Sequence, residues 1–284
     1  MSTGALAPVL LGLAAALAWG AGDFTGGMAT KRTTAYAVVI GSEVVGLVVL
    51  LILVFLTSEP LPPVQPLLMA AVAGAAGGFG LILLYQALAG GQMSIAAPIS
   101  AVLAAAIPVL VSIIWLGWPD PLVLAGLLLA LLAIWMIAGG EGDGLPARLR
   151  LEQIRLPLLA GVVFGLFFVL LHQASQDSLF WPIIATRIAS IIFLTAYASL
   201  AHQSFLPQRS LWPMIALCGL LDTAGNGLFV LSSQLGRLDV AAVLSSLYPA
   251  VTVALAWLVL KERMAGLQKL GLAAALAAIL FITV

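Results

Sequence analysis

Ionisable side chains inside apolar stretches are the first residues to weigh in this sequence. A charge at the centre of a membrane helix costs at least ~2.5–3.5 kcal/mol and normally faces a partner or a wet space. Asp222 stands about eleven residues into the apolar stretch 211–234, which at about 1.5 Å per residue is roughly 16 Å deep. Asn226 follows one turn later, and Ser233 falls on the same stripe. Such a face can bind an amine or a proton within a wet cavity, or tie two helices by a hydrogen bond. Asp222 is the leading candidate for a functional acid.

Glu43 and Arg187 form the next constellation. Ile40–Leu50 aligns without gaps on Ile184–Leu194 and sets Glu43 opposite Arg187, complementary charges in equivalent places. They suit either a stabilising ion pair or a charge relay. Asp23 and His172 close two other stretches, each four residues after an aromatic (Trp19 and Phe168) and therefore on one helical face with it. Histidine titrates near neutrality, so His172 is a candidate carrier of a coupling proton. Both groups fall near expected membrane boundaries, where polar side chains are also ordinary. Tyr85 with Gln86, and Ser245 with Tyr248, combine apolar surface with hydrogen-bonding ends, as a pocket for an amphiphilic metabolite requires. The substrate-contact candidates are therefore Trp19, Tyr85, Gln86, His172, Asp222, Asn226, Ser245 and Tyr248. Asp222, Asp23, Glu43 and Arg187 are the candidates for coupling or charge. Trp118, Trp181 and Trp212 read as interfacial anchors instead.

The elements that must position these groups follow from composition. Of 284 residues, 63% are apolar and 8% charged, with mean hydropathy +1.20. Soluble proteins carry about 25% charge, and one water-soluble core cannot use this much apolar surface. Ten stretches can be marked by charge, Pro and turn signals: 6–24, 35–56, 66–88, 95–117, 121–138, 157–173, 181–200, 211–234, 240–260 and 266–283. At about 20 residues each they consume most of the chain and leave no room for a soluble domain. A secreted enzyme, a nucleic-acid binder and a disordered scaffold are disfavoured; an all-α membrane protein of ten transmembrane helices is favoured. Net charge is zero, so no strong field selects a charged macromolecular partner. The single cysteine, Cys218, cannot form an internal disulfide. The N-terminus lacks a basic leader region, and its first stretch reads as a retained helix.

The stretches fall into two sets of five. A charged connection at about 141–156 separates residues 1–140 from 157–284. Residues 74–100 match 219–245 without a gap at Gly74/Gly219, Gly80/Gly225, Gly91/Gly236, Ala96/Ala241 and Ser100/Ser245, among others. Five is odd, so a second copy in series lies upside down: an inverted repeat, in which secondary transporters bind substrate near the midplane. Pro98, Pro108 and Pro249 permit kinks. The glycines Gly74, Gly77, Gly78, Gly80, Gly161 and Gly165 supply smooth packing faces. Lys31, Arg32, Arg148, Arg150, Arg155, Arg209, Lys261 and Arg263 all fall in odd-numbered loops, while Arg237 is on the opposite side. The positive-inside rule then puts the odd-numbered loops in the cytoplasm and both termini outside.

Trp19-Gly20-Ala21-Gly22-Asp23-Phe24, Ser245-Ser246-Leu247-Tyr248-Pro249-Ala250 and Leu260-Lys261-Glu262-Arg263, on a five-plus-five layout, resemble EamA-like members of the drug/metabolite transporter superfamily. The resemblance spans essentially the whole chain. It implies two inverted five-helix repeats around a central cavity in a bacterial-type inner membrane. It also implies export or exchange of small polar metabolites such as amino acids, without ATP hydrolysis. Segments one, three, four, six, eight and nine would surround the pathway. Trp115-Leu116-Gly117-Trp118 departs from the Glu-Arg signature that often follows the fourth helix.

Other functions find less support in the residues. A membrane-embedded lipid-modifying enzyme needs clustered acids for metal, and no Asp-rich pair, His-Glu-x-x-His or Gly-x-Ser-x-Gly occurs. A Gly-x-x-x-x-Gly-Lys-Ser/Thr loop for ATP is absent too. No catalytic residue, metal or cofactor is expected. A channel or scaffold remains the alternative to a carrier. The expected partners are the lipid bilayer and a small metabolite, with no nucleic acid; a monomer and an oligomer both stay open.

Overall fold

A computed structural model describes residues 3–89, 93–138, 151–261 and 263–283. Its long helices are α1 (Thr3–Thr30), α2 (Ala35–Thr57), α3 (Val64–Ala89), α4 (Met93–Leu116), α5 (Pro121–Ala138), α6 (Leu151–Ala174), α7 (Phe180–Leu200) and α8 (Trp212–Leu235). They are followed by α9 (Leu238–Ser245), α10 (Tyr248–Val259) and α11 (Gly266–Thr283). Among the described residues, ten spans are long and apolar enough to cross a membrane, α9 and α10 together making the ninth.

Local chemistry sets several ends. The Thr34 hydroxyl accepts from the Ala37 amide at 3.2 Å and starts α2. Pro121 opens α5, where its missing N–H costs nothing, and the Asp120 carboxylate accepts from the Leu122 amide at 2.9 Å. Pro213 sits in the first turn of α8. Two helices differ from the sequence reading. α1 continues past Phe24 to Thr30, just before the charged pair Lys31-Arg32, with Gly26 seated against Cys218 of α8. Asp23 is consequently inside a span and not at its boundary. α6 begins at Leu151, inside the expected connection, most of which (139–150) lies outside the described residues.

The ninth span is broken where Pro249 has no N–H to offer the Ser245 carbonyl four residues back. Ser246 and Leu247 form the turn between the pieces, held by Leu247 N to Leu244 O at 3.2 Å and Ala250 N to Leu247 O at 2.9 Å.

The packing follows a pseudo-twofold that exchanges α1–α5 with α6–α11. α1 packs chiefly on α8, and its counterpart α6 packs on α3; α2 contacts α8 as α7 contacts α3; α5 and α11 pair with each other. Glycines record the symmetry at atomic detail. A Cβ on Gly74 would collide with the Thr186 carbonyl, and one on Gly219 with the Ser42 carbonyl. A Cβ on Gly126 would stand 2.8 Å from the Ile282 side chain, and one on Gly271 would stand 2.8 Å from Ile137. Each contact becomes its partner when the halves are exchanged. Close backbone approach is what small residues provide in lipid, where burial of apolar surface cannot drive helices together.

One end of the bundle is drawn together across the halves. The Glu59 carboxylate accepts from the amides of Leu179 at 2.6 Å and Phe180 at 3.1 Å, capping α7 from the α2–α3 connection. Arg237 donates to the Gly117 carbonyl at 2.9 Å, and Ser232 to the Pro8 carbonyl at 2.6 Å.

Candidate functional site

Between the halves lies a cavity of about 450 Å³. Its wall takes Trp19 and Asp23 from α1, Glu43 from α2, the Gly77-Gly78 face of α3, and Ser100 from α4. The other half contributes Phe164, Phe167 and Phe168 from α6, Arg187 and Ser190 from α7, Asp222 and Asn226 from α8, and Ser246 and Tyr248 from the broken span. Volume and a mainly apolar lining with a few polar groups are the features of a small-molecule site.

A buried guanidinium organises the polar wall. Arg187 donates through Nη2 to Oδ2 of Asp222, and its Nη1 lies 3.7 Å from Oε1 of Glu43. Ser190, one turn along α7, donates to the same Glu43 oxygen at 2.9 Å. Asn226 donates to the Asp222 carbonyl at 2.8 Å and to its Oδ2 at 3.2 Å. The network thus joins α2, α7 and α8. Gly46 makes room for it: a Cβ there would strike the Thr223 hydroxyl and stand 3.6 Å from Arg187 Nε. Several buried polar atoms have no protein partner, among them Glu43 Oε2, Arg187 Nε, Thr223 Oγ1 and Ser246 Oγ.

The aromatic wall is built around Trp19. Its ring lies 5.6 Å from Phe168 and 6.0 Å from Phe229, and it meets Tyr248 edge-on at 6.4 Å. Gly225 of α8 lets the indole rest on the backbone, since a Cβ there would overlap it.

Of the sequence candidates, Trp19, Asp23, Glu43, Arg187, Asp222, Asn226 and Tyr248 meet at this cavity. Others go elsewhere. Ser245 is fully buried and donates back to the Ala241 carbonyl at 2.7 Å; the break turns its neighbour Ser246 to the cavity. Gln86 is exposed and donates to the Tyr197 hydroxyl at 3.3 Å. His172, in the last turn of α6, has its Nε2 3.3 Å from the Gln176 amide, at the end of the bundle where the halves are drawn together. Its counterpart Asp23 lies inside α1, seven residues before the end of that helix, and lines the cavity. Ser233 donates to the Val230 carbonyl at 3.0 Å and is buried away from that wall. Tyr85 and Pro98 fall outside the residues whose side chains are described.

Ser190 and Ser246 were not singled out by sequence reasoning. Ser190 had a signal, lying three residues after Arg187 on the same helical face. Ser246 had none beyond its nearness to Pro249. Among the described residues, no group of three or more His, Cys, Asp or Glu is placed to hold a metal ion.

Comparison with known proteins agrees with this architecture. No curated protein matches the sequence. A solved crystal structure is similar over 96% of this chain and 95% of its own, at 17% identity and a TM-score of 0.79, a likeness of fold. The model of the EamA-like transporter family matches residues 6–139 and matches again over 154–284, once in each half. With ten apolar spans, a repeated architecture and a double match covering nearly all of the sequence, this chain belongs to the EamA-like transporter family of multi-pass membrane proteins that move small molecules.

Proposed function

We propose that the protein is a secondary carrier that exports or exchanges small polar metabolites, amino acids among them, across a bacterial-type inner membrane by alternating access. The observation that carries this reading is the cavity walled by both halves, with charged side chains that would be costly in lipid gathered on it. Residues 1–140 and 157–284 are the two moving units, and 141–156 is their connection. Trp19 and Tyr248 bracket the apolar part of the substrate; Asn226 and the carboxylates meet its polar part. The broken ninth span and the glycine faces of α3 and α6 are the surfaces on which one half rocks against the other. The bias of Lys and Arg supports odd-numbered loops in the cytoplasm and both termini outside.

The direct test is counterflow with purified protein in liposomes. Vesicles loaded with a metabolite should accumulate the same labelled compound transiently, with saturation. Inert vesicles across a broad amino-acid and amine panel would reject the reading, and conductance far above carrier turnover would replace it with a channel.

A further inference from the structure

Within that carrier reading, we infer that the cavity selects an organic cation, an ammonium group on an apolar or aromatic body, with the Asp23 carboxylate as its counter-ion. The charge balance of the wall points there. Three carboxylates line it, on Asp23, Glu43 and Asp222, against the guanidinium of Arg187. The charge of Arg187 is already balanced by Glu43 and Asp222, so even with its Nε unpartnered the wall keeps an excess of negative charge. Among the described lining residues there is no other basic side chain.

Asp23 differs from the other two acids. It is exposed to the cavity, and none of its described neighbours gives it a hydrogen bond or an ion pair. A carboxylate held inside a membrane span without a partner favours a cation beside it. The surroundings fit the rest of such a ligand. Trp19 is one helical turn before Asp23 on the same face, with Tyr248 and Phe168 against its ring, and aromatic faces attract an ammonium. A second, independent sign is Ser246: its side chain is 98% buried, it lines the cavity, and its hydroxyl has no protein partner. That hydroxyl can accept from an ammonium N–H. A zwitterion would need a second cation for its carboxylate, so the inference narrows the carrier reading from amino acids to amines: the charge of Arg187 is already set against two acids.

The experiment uses the intact protein in detergent and four probes of similar shape: phenethylammonium, 2-phenylethanol, phenylalanine and phenylacetate. Calorimetric titration should give phenethylammonium an affinity at least tenfold above each of the others. Asp23→Asn should remove that preference, while Asp177→Asn, on an exposed turn, keeps it. Equal or tighter binding of phenylacetate or phenylalanine overturns the inference, as does an unchanged preference in Asp23→Asn or no binding of any probe. If Asp23→Asn fails to fold, the wild-type comparison of phenethylammonium with neutral 2-phenylethanol decides alone. Counterflow separates the two claims. Transport of a zwitterion or an anion without cation preference sinks the selectivity and leaves the carrier, whereas cation binding lost in Asp23→Asn without counterflow upholds the site and counts against the carrier.

Discussion

Arg187 on α7 holds Asp222 on α8 by a direct ion pair, and the same guanidinium reaches Glu43 on α2. One positive charge thereby fixes three helices from both halves around the cavity.

Removing that charge strands two acids. Arg187→Met should destabilise the protein by about 3 kcal/mol, the low end of the range for breaking a buried pair. The low end applies because the Asp222 side chain keeps 36% of its surface open to the cavity. Adding Asp222→Asn to Arg187→Met should cost less than the sum of the single losses. Unfolding in detergent, read as a double-mutant cycle, measures both.

Gly74 and Gly219 should behave as a matched pair. Alanine at either forces a methyl group into the backbone of the opposite half and should cost about 1–3 kcal/mol. Gly227, with nothing within 4 Å of a Cβ, should accept alanine at no cost or with a small gain in helix propensity. Thermal unfolding of the three single variants checks this, and a harmless Gly219→Ala beside a harmful Gly74→Ala would argue against equivalence of the halves.

Glu59 caps α7 from the other half. Glu59→Ala should cost about 1 kcal/mol, as other lost caps do. It should also loosen the end where the halves meet. In a Cys218→Ala background, a Ser178→Cys probe, now buried, should react faster with a maleimide once Glu59 is replaced. Unaltered labelling would assign the contact to stability alone.

Pro249→Ala returns a donor to the Ser245 carbonyl and should mend the ninth span. Counterflow should slow several-fold, with probe affinity kept, if the break serves the motion between states. A rate equal to wild type would make the break a static shaping of the wall.

Trp19→Ala opens the centre of the aromatic wall. It should raise the apparent KM about tenfold or more by removing ring contacts worth about 0.5–1.5 kcal/mol each beyond their buried area. Trp19→Phe should recover part of that loss in the same assay.

Much of this was legible in the residues. Charge inside apolar stretches singled out Glu43, Arg187 and Asp222, because lipid makes such groups conspicuous wherever they occur. Gly74 and Gly219 marked the repeat for the same reason that they pack: no larger residue fits. What escaped was depth and rotation. His172 matches Asp23 in its copy, yet α6 ends two residues after His172 whereas α1 runs seven residues past Asp23, and only Asp23 lines the cavity. Ser245 matched Ser100 in the alignment, but the break at Pro249 rotates the helix so that Ser246 faces the cavity. α1 runs on to Thr30 although Gly26 and Gly27 are poor helix formers and read as an ending; Gly26 instead packs against Cys218 of α8.

The crossed packing of α1 has a consequence for biogenesis. Its main neighbours, α8 to α10, are made roughly two hundred residues later in synthesis. At ribosomal rates of about 5–20 residues per second, α1 waits ten seconds or more in the membrane before its berth exists. For that interval Asp23 lies in the bilayer without the aromatic shelter it later shares. Slow synthesis of the second half should therefore send more newly made chains to degradation.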